Sequence, residues 1–186
     1  MRAGRREVRL VGQGGQGLAL AGLILADAAV RDGKNVVMTH SYGAQQRGGP
    51  SQADVIVSDE EIDYPKVVEA DVLVIFSEEA YERYHHRLPK DGLVMVDTSE
   101  MQRSRGDGAR LVPVPFTTIS KEVTDSDLSA NMVALGVMAE LTKLVSRRSL
   151  LRALRRMSPR ASLESNRAAV KRGVKEAETV KGKYGL

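Results

Sequence analysis

The chain has 186 residues, 42% hydrophobic and 28% charged, with 4% aromatic residues and a net charge of +4. That size and composition suit one globular domain with a real core and exclude a fibre, wholesale disorder and, for want of a ~20-residue apolar run, a membrane-spanning helix. The absence of cysteine excludes a disulfide framework, a catalytic thiol, a thiolate zinc site and a cysteine-held iron–sulfur cluster in this chain.

In chain order, residues 7–11 (EVRLV) read as a first strand, broken by 12–17 (GQGGQG). Residues 18–30, rich in Ala and Leu, predict a buried helix. Strands follow at 35–39 and 53–58, separated by a turn-rich loop at 40–50. The wholly apolar run 72–76 (VLVIF) reads as a central parallel strand, 78–87 as a helix, 93–97 as a fifth strand and 111–114 as a short sixth. Residues 103–108 read as a polar loop. The remainder is helical: 131–145 is apolar nearly all round, 149–157 is short, and Leu163, Val170, Val174 and Ala177 share one face of a last amphipathic helix, with Ser158-Pro159 as its start signal. The expected fold is α/β: a three-layer, Rossmann-like, mostly parallel sheet with helices on both faces and a helical C-terminal third, all in one domain over 1–186. A basic N-terminus with no apolar signal segment after it makes the cytoplasm the expected location.

Charge is unevenly distributed. Residues 143–186 hold 13 Lys and Arg against 3 Asp and Glu, and residues 1–142 hold 15 against 21. A basic C-terminal region suits phosphates, nucleic acid or an acidic partner subunit, and equally a solvated helix face. The low aromatic count and acidic first part argue against nucleic acid.

Gly12, Gly14 and Gly17 form a G-x-G-x-x-G between a strand and a helix, a turn that can bring backbone N–H groups and a helix N-terminus to a phosphate. A dinucleotide site also needs an acid about 20 residues on, at the end of the second strand. Residues 38–41 read MTHS and the next carboxylate is Asp54, so a free-standing nucleotide-binding Rossmann-type protein stands only as the alternative. A tight turn needing glycine for packing explains the motif as well. The second unusual stretch, 41–49 (SYGAQQRGG), falls after the second strand, so both loops can face one carboxyl-end crevice. There Arg47 can fork onto a phosphate or carboxylate, or form a structural ion pair. His85 and His86 are adjacent, which is poor metal geometry, and His40 lacks triad spacing. No catalytic or metal-binding residue is assigned.

Together, 12–17 and 41–49 at this spacing resemble the gamma subunit of 2-oxoacid:ferredoxin oxidoreductases, which act on pyruvate, 2-oxoglutarate and branched-chain 2-oxoacids. The beta subunit of indolepyruvate oxidoreductase is similar. Residues 72–76, 93–97, 131–136 (NMVALG) and 166–169 (NRAA) also fit, so the resemblance covers nearly the whole chain. Many members read Ser-Tyr-Gly-Pro-Glu where this chain has Ala44 and Gln45, which weakens any role built on an acid there.

The resemblance implies a complex that decarboxylates a 2-oxoacid with coenzyme A to acyl-CoA, carbon dioxide and reduced ferredoxin. It implies thiamine diphosphate and iron–sulfur clusters on partner alpha, beta and, where present, delta subunits, with none bound tightly here. It implies an assembly component without its own redox centre, prone to homo-oligomerise when isolated. Gly12, Gly14, Gly15, Gln16, Gly17, Ser41, Tyr42, Gly43 and Arg47 are the residues expected to meet coenzyme A.

Overall fold

The computed structural model describes residues 4–43, 49–84, 92–101 and 110–184. Arg47, the departures Ala44 and Gln45, the pair His85-His86, the end of the 78–87 helix and the 103–108 loop therefore lie outside the described residues.

Six strands form one sheet: β1 (Arg5–Gln13), β2 (Asn35–Tyr42), β3 (Pro50–Ser58), β4 (Val72–Ile75), β5 (Leu93–Asp97) and β6 (Arg110–Val114). Their spatial order is β2-β3-β1-β4-β5-β6. β1, β4, β5 and β6 run parallel, whereas β3 is antiparallel to both its neighbours, β1 and β2. The sheet is mostly parallel, as expected, but β2 and β3 extend further than expected. They shorten the predicted 40–50 loop to the segment between Tyr42 and Pro50.

Side chains alternate between the two faces. Val8, Leu10, Val55, Val57, Val72, Val74 and Met95 enter the main core. Val11, Leu73, Ile75, Val94 and Val96 enter a second cluster on the opposite face, and Ile56 a third. The main core is closed by α1 (Leu18–Arg31), α3 (Phe116–Thr124), α4 (Ala130–Thr142), α5 (Arg147–Met157) and α6 (Leu163–Tyr184). A 3-10 turn at Arg160–Ser162 follows Pro159 and leads into α6. The opposite face carries α2 (Glu78–Tyr84) and the segment 59–71, whose Val67 and Ala70 pack on Ile56.

Helix α4 is buried along Ala130–Glu140, as its apolar sequence requires. It crosses α6 backbone to backbone at Gly136 and Gly173, where any Cβ would strike the carbonyl of Val170 or Val133. Asn166 clasps the same pair: its Oδ1 accepts from Ser129 Oγ at 2.9 Å and its Nδ2 donates to Ser158 Oγ at 3.2 Å. Among the described residues no helix is long and apolar enough to cross a membrane.

Helix α3 had no counterpart in the sequence reading. Its sequence FTTISKEVT is rich in β-branched residues and follows two prolines, Pro113 and Pro115. Tertiary contacts fix it. Buried Asp97, at the end of β5, accepts from Thr117 N at 3.1 Å and Thr117 Oγ1 at 2.6 Å, which caps the helix from a distance.

Candidate functional site: the glycine turn at the carboxyl edge

The turn between β1 and α1 stands at the carboxyl end of the sheet, where α/β folds receive ligands. Its geometry separates glycines that shape the turn from atoms left available. Gly12 closes against Gln16, whose Oε1 a Cβ on Gly12 would strike. That Oε1 accepts from Gln13 N at 2.7 Å, and Gln16 Nε2 donates to Phe76 O at 3.1 Å. Gln16 is thus a strut between the ends of β1 and β4. Gly14 N donates to Gly49 O at 2.8 Å, which ties the two glycine-rich loops together. Gly17 caps α1 in the left-handed region (φ 69) and offers no side-chain cap. The first-turn N–H groups of α1 are left uncapped by any side chain, beside Gly15 (φ 98), around which nothing lies within 4 Å of a would-be Cβ. This is the arrangement that accepts an anion.

Asn131, from the start of α4, reaches the same place. Its Nδ2 donates to Gly17 O at 2.9 Å, and its Oδ1 is buried with no hydrogen-bond partner. The apolar pattern of 131–145 predicts a buried helix but not its place; this contact across 114 positions sets its start beside the glycine turn.

Two clefts flank the turn. One, of about 210 Å³, is lined by Gly12, Ser41, Tyr42, Gly43, Gln52 and Arg83. It unites four of the residues expected to meet a ligand, and it adds Arg83, which no motif marked. The other, of about 230 Å³, is lined by Gly15, Gln16, Phe76, Thr117, Asp127 and Leu128. Tyr42 is 70% exposed at the first and Leu128 75% exposed at the second. Gly43 N donates to Pro50 O at 2.8 Å, closing the base of the β2–β3 connection.

His40 lies within hydrogen-bond distance of Ser51 Oγ, at 3.2 Å, and edge-on to Tyr42. Burial pushes its imidazole below the ordinary 6.5, so the ring is neutral at pH 7. No carboxylate hydrogen bond to that ring is seen among the described residues. Nor does any group of three His, Asp or Glu there gather as a metal site. A larger cleft of about 390 Å³ opens at the opposite end of α1, lined by Asp32, Lys34, Glu140, Lys143 and Arg147. Its cations already pair with carboxylates: Lys34 with Asp59, and Lys143 and Arg147 with Glu140.

The dinucleotide alternative loses its footing in the topology. A ribose-binding acid belongs at the end of the strand next to β1, but here antiparallel β3 separates β1 from β2.

Fold and turn define an α/β protein with an uncapped helix start and two flanking clefts at the carboxyl end of its sheet. The chain belongs to the pyruvate ferredoxin/flavodoxin oxidoreductase family, whose model matches residues 7–176. It is 39% identical to the 2-oxoglutarate synthase subunit KorC of Methanocaldococcus jannaschii over 94% of this chain and 95% of that one. In structure it resembles the gamma subunit of a keto/oxoacid ferredoxin oxidoreductase from Geobacter sulfurreducens, with a TM-score of 0.82, 34% identity, and coverage of 94% of this chain and 99% of that one. It also resembles the 2-oxoglutarate:ferredoxin oxidoreductase of Magnetococcus marinus, solved with 2-oxoglutarate, coenzyme A and succinyl-CoA bound. There the TM-score is 0.86 at 26% identity, and the match covers 96% of this chain but 32% of that longer one.

Proposed function

We propose that this chain is the gamma-type subunit of a cytoplasmic 2-oxoacid:ferredoxin oxidoreductase, and that its glycine turn receives part of coenzyme A. The observation that carries the first half is similarity along nearly the full length to a gamma subunit and to KorC. 2-Oxoglutarate is the acid to try first, after the relatives. Thiamine diphosphate and iron–sulfur clusters, which would supply the decarboxylation and electron-transfer chemistry, belong on alpha, beta and, where present, delta partners; the absence of cysteine here supports that division.

The second half rests on the turn. Coenzyme A carries phosphates, and the uncapped start of α1 beside Gly15 offers N–H groups to them. Arg83, across the neighbouring cleft, is paired with Glu79 of the same cleft at 3.4 Å and would have to exchange that partner for a phosphate. Gly14 and Gly17 shape the turn, Gly12 and Gln16 both shape it and line a flanking cleft, and Gly15, Ser41, Tyr42 and Gly43 border the space the ligand would enter. Arg47 enters this reading through the sequence alone. The chain itself binds and orients; no step of bond making is assigned to its residues.

With Gly15→Ala as its control, which shares the backbone strain of a side chain at φ 98 but adds no charge, Gly15→Asp tests the placement, because it sets a carboxylate at the helix start without striking a neighbour. In the assembled enzyme it should raise KM for coenzyme A roughly tenfold, about 1.4 kcal/mol, and leave KM for the 2-oxoacid unchanged. Arg47→Ala should act in the same direction. Unchanged coenzyme A dependence in both variants would remove the turn from the site.

A further inference from the structure

We infer that the outer face of α5 is a docking face for an acidic helix of a partner protein, bound through Arg148, Arg152 and Arg155. The inference rests on the charge and packing of α5 and not on the coenzyme A reading above.

Between Glu140 and Glu164 the chain has seven Lys and Arg and no Asp or Glu. Three of the seven are used inside the fold: Lys143 and Arg147 pair with Glu140, and Arg156 pairs with Asp27 of α1. Arg148, Arg152, Arg155 and Arg160 are exposed and have no carboxylate partner among the described residues.

A merely solvated helix face looks different in this protein. Arg31 of α1 is answered by Asp27, Arg83 of α2 by Glu79 and Arg172 of α6 by Glu176, each one turn away. In α5 the neighbours one turn away are other arginines, since Arg152 lies four residues from Arg148 and three from Arg155. Like charges at that spacing oppose the helix. Arg147 and Arg148 also occupy its first turn, where the positive end of the dipole disfavours cations, and no acid stands there to offset them. The charge is held against the local preference of the helix, as happens where residues are kept for a site rather than for folding.

The arginines are also aligned. At about 100° per residue, Arg148, Arg152 and Arg155 fall within about 60° of arc. Ser149, Leu150, Ala153 and Leu154 occupy the other side of the helix and are buried. The three cations therefore make one row, about 10 Å long, pointing away from the core.

The form of the row selects its occupant. The outer face of a helix is convex and encloses no small anion. A partner helix with Asp or Glu at every third or fourth position presents carboxylates at the same pitch, and each guanidinium can take one through two parallel N–H···O bonds. All six cations from 147 to 160 are arginine, whose flat and weakly hydrated fork suits such pairs better than a lysine ammonium does. A bilayer does not fit, because the apolar side of α5 that would enter it is already buried in the core. Nucleic acid fits less well. Residues 141–163 hold no aromatic side chain on which a base could stack, and residues 1–142, with 15 Lys and Arg against 21 Asp and Glu, repel an extended polyanion.

Fluorescence anisotropy of the full chain tests this with a labelled helical peptide that carries Glu at positions i, i+4 and i+7. Wild type should bind it at about 0.15 M salt and release it at about 1 M. Arg148→Ala/Arg152→Ala/Arg155→Ala should bind roughly tenfold more weakly. Its thermal midpoint should equal or exceed that of wild type, since the repulsion within the row is gone. Arg167→Ala/Lys171→Ala/Lys175→Ala, which removes the same charge from exposed positions of α6, should bind as wild type does. A peptide of the same composition with its Glu residues spread round the helix should bind wild type more weakly. In anaerobic purification from the native cells, the α5 variant should lose a partner that wild type retains, and that partner should contain a segment with acids at this spacing. The proposal is overturned if wild type does not bind the peptide, if both triple variants lose binding equally, or if the α5 variant is less stable or keeps every partner of wild type. It is overturned in favour of nucleic acid if a DNA duplex of equal charge displaces the peptide from the row.

Discussion

Gly17 shows how one residue can serve shape twice. Its φ of 69 lies in the left-handed region, and the Asn131 amide occupies the space a Cβ would need. Gly33 has a similar φ of 80 with nothing near. Gly33→Ala should therefore lose only the backbone preference, about 1 kcal/mol. Gly17→Ala should lose that and the Asn131 contact as well, at least about 2 kcal/mol in all. Urea midpoints of the two variants separate these terms, and equal losses would mean that Asn131 moves aside freely. At this scale the sequence was half legible. Strand, glycine run and helix revealed the turn, but not which residues are used within it. The resemblance gives Gln16 as a coenzyme A contact, and in the structure its side chain bridges Gln13 and Phe76 while lining one flanking cleft. Arg83 and Asn131 were out of reach because their nearness to the turn is a product of tertiary packing, across 114 positions in the case of Asn131.

At the scale of elements, packing overrode local preference in one place and agreed with it elsewhere. The continuous apolar run of β4 and the all-round apolarity of α4 are burial patterns, and both were readable. Helix α3 was not, since its β-branched sequence favours extended backbone and only the Asp97 cap and the packing of Phe116 and Ile119 make it helical. The antiparallel placement of β3 was equally hidden, because a buried strand has the same pattern in either direction. The α4–α6 crossing depends on glycine at both contact points. Gly136→Ala should cost at least about 2 kcal/mol, although alanine favours a helix by about 1 kcal/mol. Gly182→Ala, with nothing nearby, should instead be neutral or stabilising. Thermal unfolding distinguishes the two, and a stabilised Gly136→Ala would contradict the backbone contact.

Glu140 ties three helices together. It accepts from Arg147 of α5 at 2.7 Å, from Lys181 of α6 at 3.1 Å and from neighbouring Lys143. Arg147 first, then Lys143 and Lys181, hold its carboxyl at about 2 against an ordinary 4.5. In that window the unfolded chain binds the proton and the folded chain does not. Stability from this group is therefore complete above about pH 4.5 and lost as pH falls toward 2. Glu140→Gln should cost about 1–2 kcal/mol at pH 7, limited by the solvent exposure of its cations. Its deficit against wild type, read from urea unfolding, should shrink as pH drops through the window. A deficit independent of pH would assign the loss to shape rather than charge.

At the scale of the molecule, the architecture of the described residues is lopsided: five helices stand on one face of the sheet, while α2 and the segment 59–71 pack on the other. The glycine turn sits at one end, the Glu140 cleft at the other, and the uncharged β2 edge at the side. Fold class and family were legible because they rest on two loops and a strand–helix rhythm. The identity of the 2-oxoacid was not, since no pattern in this chain specifies it.

The central claim, membership of a working 2-oxoacid oxidoreductase, is tested most directly by anaerobic affinity purification of the tagged chain from its native cells. The eluate is assayed for coenzyme A-dependent dye reduction by a panel of 2-oxoacids. The account predicts larger co-purifying subunits and activity on one acid, with 2-oxoglutarate the first candidate. A lone 20.2 kDa band without activity, from cells whose control preparation retains the intact complex, would contradict it.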